Sequence, residues 1–145
     1  MQLTRFTDYG LRILVYLCQT PANEKVSLSI LAHRFNMNHN HVNKVSQKLA
    51  GLGWIHSTRG KMGGITLAAT TRQLSIADIV RELELQLDPI DCGGIDCPMT
   101  GHCRLQGVLA DAAAAFMQVL EQYCLEDISQ QDIHWLLVPL PEHAS

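Results

Sequence analysis

The sequence predicts a mainly α-helical protein: a helical domain interrupted by one short β-hairpin, followed by a long helix towards the C-terminal end. Three observations predict it. Apolar residues recur at three- and four-residue steps in the segments near Thr7–Gln19, Leu28–Phe35 and Asn38–Leu52. Two short strand-like runs flank the glycine-rich tip Arg59–Gly64. A last run, Cys103 to Tyr123, carries apolar side chains at alternating steps of four and three. A length of 145 residues suits one ordinary domain, or one small domain with an appended element. Such a chain buries about two-thirds of its unfolded surface, so it needs no disulfide scaffold.

The first helix is expected from about Thr7 to Gln19, with Phe6, Gly10, Ile13, Leu14 and Leu17 on one face and Pro21 ending it. Asp8 falls in its first turn, where a carboxylate suits the helix dipole. Ser27 reads as the N-cap of a second helix, with Val26 and Leu31 as a hydrophobic staple. Asn36-Met37-Asn38 reads as a turn, and Asn38 as the cap of a third helix carrying Val42, Val45, Leu49 and Leu52 on its apolar face. Gly51 and Gly53 end that helix. Trp54–Thr58 and Ile65–Leu67 form the hairpin, Ser75 caps a fourth helix from Ile76 to about Glu82, and a polar, acidic loop runs from about Asp88 to His102. The long helix follows, then a short closing helix from Leu125 to Gln131 and an extended tail from His134 to Ser145.

Two short helices joined by a tight turn, with a hairpin directly after them, make a winged helix-turn-helix pattern. The third helix exposes Asn40, His41, Asn43, Lys44, Gln47 and Lys48. Asn and Gln match the donor–acceptor pair of adenine, and Lys donates to guanine or phosphate. Asn40, His41, Asn43 and Lys44 are therefore candidates for base readout in double-stranded DNA. Lys48, with Arg59 and Lys61 of the hairpin tip, would contact phosphate or the minor groove. The competing readings are a solvated helix face and a plain hairpin turn. The charge split favours the nucleic-acid reading. Residues 1–80 hold nine basic and three acidic side chains, a net of +6, whereas residues 81–145 hold two and eleven, a net of −9. The tip is not a nucleotide-binding loop, because it lacks a Gly-Lys-Ser/Thr ending before a helix. With no nucleophile elbow or zinc-protease helix either, the expected class is a regulator and not an enzyme.

Leu105, Leu109, Ala112, Phe116, Val119 and Tyr123 form a heptad seam of under three heptads. It either packs on its own domain or meets a partner helix, and the two-half-site logic of helix-turn-helix proteins favours a homodimer. The chain thus divides into a DNA-binding domain (1–83), a loop (84–103), a dimerisation helix with the closing helix (104–131) and a tail (132–145). No apolar stretch is long enough to span a membrane and no cleavable leader is visible, so a soluble, cytoplasmic protein with reduced cysteines is expected.

Cys92, Cys97 and Cys103 fall within twelve residues, in DCGGIDCPMTGHC. Glycines and a proline between them favour a wrapped loop that can aim three sulfurs at one centre. Spacings of four and five are not the CxxC knuckle of structural zinc. An iron–sulfur cluster tolerates varied spacing and needs thiolates. Zinc, a thiol/disulfide switch and idle cysteines remain open. Cys18 and Cys124 read as small buried apolar residues within helices. Three thiols leave a four-site cluster one ligand short. His102, Asp8, Asp91 and Asp96 are the candidates, and for Asp8 the residues alone favour a helix-start acid. His39 and His41 stand two apart on a helix and face nearly opposite ways, which argues against a shared metal.

The opening MQLTRFTDYGLR, the hairpin STRGKMGGITL, the segment IADIVRELE and the loop DCGGIDCPMTGHCRL together resemble the iron–sulfur-cluster winged-helix transcriptional regulators of the Rrf type, over Met1 to about Gln130. Within that family the chain is most similar to the nitric-oxide-sensing repressors. The resemblance implies a homodimer bound to operator DNA, a 2Fe–2S or 4Fe–4S cluster on Cys92, Cys97 and Cys103, and Asp8 of the partner protomer as the remaining ligand. It implies release of DNA when nitric oxide nitrosylates the cluster. Gln106 stands where the family's cluster-assembly regulators carry a histidine ligand, which weighs against a role in cluster assembly or iron homeostasis. A redox protein that binds no DNA is the reading from another class.

Overall fold

The computed structural model describes residues 2–92 and 96–130. Its elements run α1 (Arg5–Gln19), α2 (Leu28–Arg34), α3 (His39–Gly51), β1 (Ile55–Thr58), β2 (Gly64–Leu67), a 3-10 turn (Ala69–Gln73), α4 (Ile76–Leu83), α5 (Arg104–Glu121) and α6 (Leu125–Ile128). The expected tail from His134 onwards, and Gln131 at the end of the expected closing helix, lie outside the described residues.

Local chemistry sets most boundaries. Ser27 Oγ accepts from Ile30 N, Asn38 Oδ1 from Asn40 N and His41 N, and Ser75 Oγ from Asp78 N, so each helix start has a partner for an otherwise unpaired donor. α1 begins earlier than its apolar spacing suggests. Thr4 is its N-cap, accepting from Thr7 N, which draws Arg5 and Phe6 into the helix. α2 and α3 are joined by a turn in which Asn36 takes φ +50° and Met37 N donates to Ala32 O at 2.8 Å. Asparagine tolerates that left-handed conformation better than most residues.

α1 forms the centre of the core. Ile13, Leu14 and Leu17 are at most 2% exposed and pack with Leu31, Val42, Val45, Leu49, Ile65, Ile79 and Val80. Gly10 permits the close approach of α1 to its neighbours, because a Cβ there would stand 2.5 Å from Leu83 Cδ1 and 3.7 Å from Val45. β1 and β2 pair antiparallel, Ile55 opposite Leu67 and Thr58 opposite Gly64. Val26 bridges to Ile65 through two backbone hydrogen bonds, which ties the segment before α2 to the hairpin.

Two expectations need correction. The closing helix ends at Ile128, and Cys124 is its half-buried N-cap, not a buried residue within a helix. Leu125 is fully buried and donates its N–H to Leu74 O, while Ile76 N donates to Tyr123 O. The chain's return therefore belongs to the same core as the first three helices. The seam of α5 also divides. Phe116 turns inwards with Met117 and Leu120, Leu109 is half-buried, and Leu105, Val108, Val119 and Tyr123 are exposed. The packing of α4 against α5, across which Arg81 also pairs with Glu121, decides which residues turn inwards.

Candidate functional site

α3 buries Val42, Val45, Ser46 and Leu49 and so turns the intervening residues outwards. Asn40, His41, Asn43, Lys44, Gln47 and Lys48 are all exposed. The hairpin places Arg59 and Lys61, also exposed, beside this face. Between them runs a groove of about 330 Å³ lined by Ser27, Asn43, Gln47, Thr58 and Arg59. The structure thus brings Asn43 of the third helix and Arg59 of the hairpin to one concavity. Lys48 points elsewhere: its Nζ lies 3.9 Å from Glu82 of α4. Both partners are about half exposed, so the pair is weak and open to exchange with a phosphate. His41 packs against Tyr9 of α1, ring centroids 6.3 Å apart, a contact that only the fold could show.

The turn at the hairpin tip is closed by a backbone hydrogen bond. Gly63 N donates to Gly60 O at 2.9 Å, and Gly60 takes φ +108°. A Cβ on Gly63 would meet Thr58 O at 2.3 Å, which explains the glycine there.

The second half of the site is the loop between α4 and α5. Cys92, Cys97 and Cys103 are free and half-buried. Cys97 O accepts from Thr100 N and Thr100 Oγ1, and Met99 O from His102 N, which wraps 97–102 into consecutive turns. Cys103 is the N-cap of α5, and its side chain makes no hydrogen bond to the helix. Cys92 and Gln106 line one hollow of about 310 Å³ with Asp88, Asp91 and Leu109. Gly93 and Gly94 of the wrapped loop lie outside the described residues. Among the described residues no three Cys, His, Asp or Glu side chains gather into a metal-sized group, so the structure does not bring Cys92, Cys97 and Cys103 to one centre, with or without Asp8, Asp91, Asp96 or His102, and His39 and His41 join no such group. The donor set itself, three free thiols reachable from solvent, suits iron–sulfur iron, which prefers soft thiolates.

Asp8 lies on the exposed side of α1, its Oδ1 2.8 Å from Arg12 Nε. The same end of α1 is tied to the loop. Glu84, directly after α4, accepts from Thr4 N at 2.6 Å and from Thr4 Oγ1 at 3.1 Å. Of the described residues, no helix is long and apolar enough to cross a membrane.

The chain is 38% identical over 142 residues to the HTH-type transcriptional regulator NsrR of Shouchella clausii, covering 94% of this chain and 95% of that protein. It is 39% identical over 131 residues to the regulator of the same name from Halalkalibacterium halodurans, covering 88% and 90%. Its fold matches CymR, the global cysteine regulator of B. subtilis, with a TM-score of 0.70 at 23% identity, over 90% of this chain and 97% of that one. A family profile described as an iron-dependent transcriptional regulator matches residues 3–131. The chain belongs to the Rrf2 family of transcriptional regulators, a winged-helix family of non-enzymes.

Proposed function

We propose that this protein is a nitric-oxide-sensitive repressor that binds operator DNA as a homodimer carrying an iron–sulfur cluster. Three free, half-exposed thiols on the loop joined directly to the DNA-reading domain carry the proposal. The name shared by two relatives over nearly the whole chain supports it. Cys92, Cys97 and Cys103 hold the cluster, and the partner's Asp8 completes the ligand set. When bound, the cluster supplies iron at which nitric oxide reacts.

The chain's own residues convert that event into a change at DNA. Asp8 is available at small cost, because an exposed i,i+4 ion pair such as Asp8–Arg12 contributes only about 0.3–0.5 kcal/mol. Asp8 is followed by Tyr9, which touches His41 on α3, and by Gly10, which lies against Leu83 at the end of α4. A pull on Asp8 therefore reaches both the reading helix and the root of the cysteine loop. Two such helices would read half-sites about 34 Å apart, and a small rotation spoils that spacing. A hundredfold loss of affinity corresponds to only about 2.7 kcal/mol between the two states.

Anaerobic purification with iron and sulfide analysis, followed by a nitric oxide titration and a DNA-binding isotherm on one preparation, tests the proposal. DNA affinity should fall in step with nitric oxide added. Loaded protein that keeps its affinity through that titration, yet loses it on iron starvation, would redirect the assignment to iron homeostasis. Failure to bind DNA in every state would end it.

A further inference from the structure

Met62 is the side chain at the hairpin tip that the charge argument leaves unexplained. It is 87% exposed, whereas most apolar side chains of this size in the DNA-reading domain are buried or half-buried. Its setting is specific. Arg59 and Lys61 precede it, Gly60 and Gly63 hold the turn through a 2.9 Å hydrogen bond, and no side chain at Gly63 could fit without moving Thr58 O. The turn carries Met62 between Gly60 and Gly63, which line the same groove as Asn43, Gln47 and Arg59.

We propose that Met62 is a wedge: with Arg59 and Lys61 on the phosphates, its thioether side chain enters the minor groove and partly unstacks one base step. Apolar wedges of this kind, methionine among them, kink DNA, and the easiest steps to open are pyrimidine–purine steps. Met62 then reads deformability where Asn43 and its neighbours read base edges. The inference rests on the DNA-binding reading above, and it assigns the tip a role in reading deformability.

The probe is a duplex selected from a random 30-base-pair pool by the anaerobically purified wild-type protein, with 2-aminopurine placed in turn at each step flanking the major-groove half-sites and end-labels reporting bending. Wild type should raise 2-aminopurine fluorescence at one pyrimidine–purine step per half-site. Met62→Ala should abolish that rise, reduce bending and lower affinity roughly tenfold, as loss of one buried apolar side chain implies. Its salt dependence should stay unchanged, because no phosphate contact is lost. Met62→Leu should restore the signal. Lys61→Ala is the control: it should weaken binding to all sequences and flatten the salt dependence by about one unit of slope. If Met62→Ala matches wild type in fluorescence, bending and affinity while Lys61→Ala is impaired, the wedge is refuted and the wing stands. If neither variant differs from wild type, the whole tip is off the DNA and both readings fall.

Discussion

Asp8→Ala separates a cluster ligand from a helix-start acid, because the structure makes its effect on stability small. In the folded chain Asp8 contributes one exposed ion pair with Arg12, about 0.3–0.5 kcal/mol, and a first-turn interaction with the helix dipole of about 0.3–1 kcal/mol. Alanine returns up to about 0.7 kcal/mol through its higher helix propensity. The start of α1 keeps its cap, since Thr4 and Glu84 are untouched. The net loss should be no more than about 1 kcal/mol, a Tm shift of roughly 2–4 °C at most. A calorimetric or circular-dichroism melt of the cluster-free protein checks that part. The functional effect should be far larger. The cluster should still assemble on three thiolates, its visible spectrum should shift, its reaction with nitric oxide should change, and DNA affinity should drop before any nitric oxide is added. These are read from an anaerobic spectrum, a nitric oxide titration and a binding isotherm. Wild-type results in all three would leave Asp8 as a helix-start acid and remove it from the ligand set.

Other perturbations address separate parts of the molecule. Cys97→Ser, and equally Cys92→Ser or Cys103→Ser, should abolish the cluster because oxygen is a poorer ligand for iron–sulfur iron, whereas Cys18→Ser should retain it; full iron and sulfide content in anaerobic Cys97→Ser would rule out the three-thiol site. Gly63→Ala should destabilise the hairpin by about 1–3 kcal/mol, since the new Cβ would overlap Thr58 O, and hydrogen exchange should show faster opening of the β1–β2 amides with α1 still protected. Asn43→Ala should relax preference at one base position by about 1–3 kcal/mol in a selection experiment, without changing salt dependence. The carboxyl of Asp127 is held below its ordinary value by accepting the backbone N–H of Cys124. A depressed folded-state value means the stabilisation is complete above the unfolded value and is lost as pH falls through the folded one, so Asp127→Asn should reduce the acid sensitivity of the fold below about pH 4 in urea melts.

What the sequence determines by itself is local. The caps Ser27, Asn38 and Ser75 were readable because a cap reaches only two or three residues, and each makes the expected hydrogen bond. The same short range made the exposed face of α3, the glycine-rich tip and the cysteine loop visible before any fold was known. Tertiary structure decided everything that depends on neighbours far along the chain. The tie of Thr4, the local cap of α1, to Glu84 eighty residues away is one such contact. The division of the α5 seam depends on where α4 lies, because a heptad pattern records that a helix has an apolar face but not which body covers which half of it. The return of Leu125 to the first core, the pairing of Lys48 with Glu82 and the contact of Tyr9 with His41 have no signal in spacing. Each is fixed by the packing of α1 against α3, α4 and α6, which needs the whole core to be assembled before any single pair can meet.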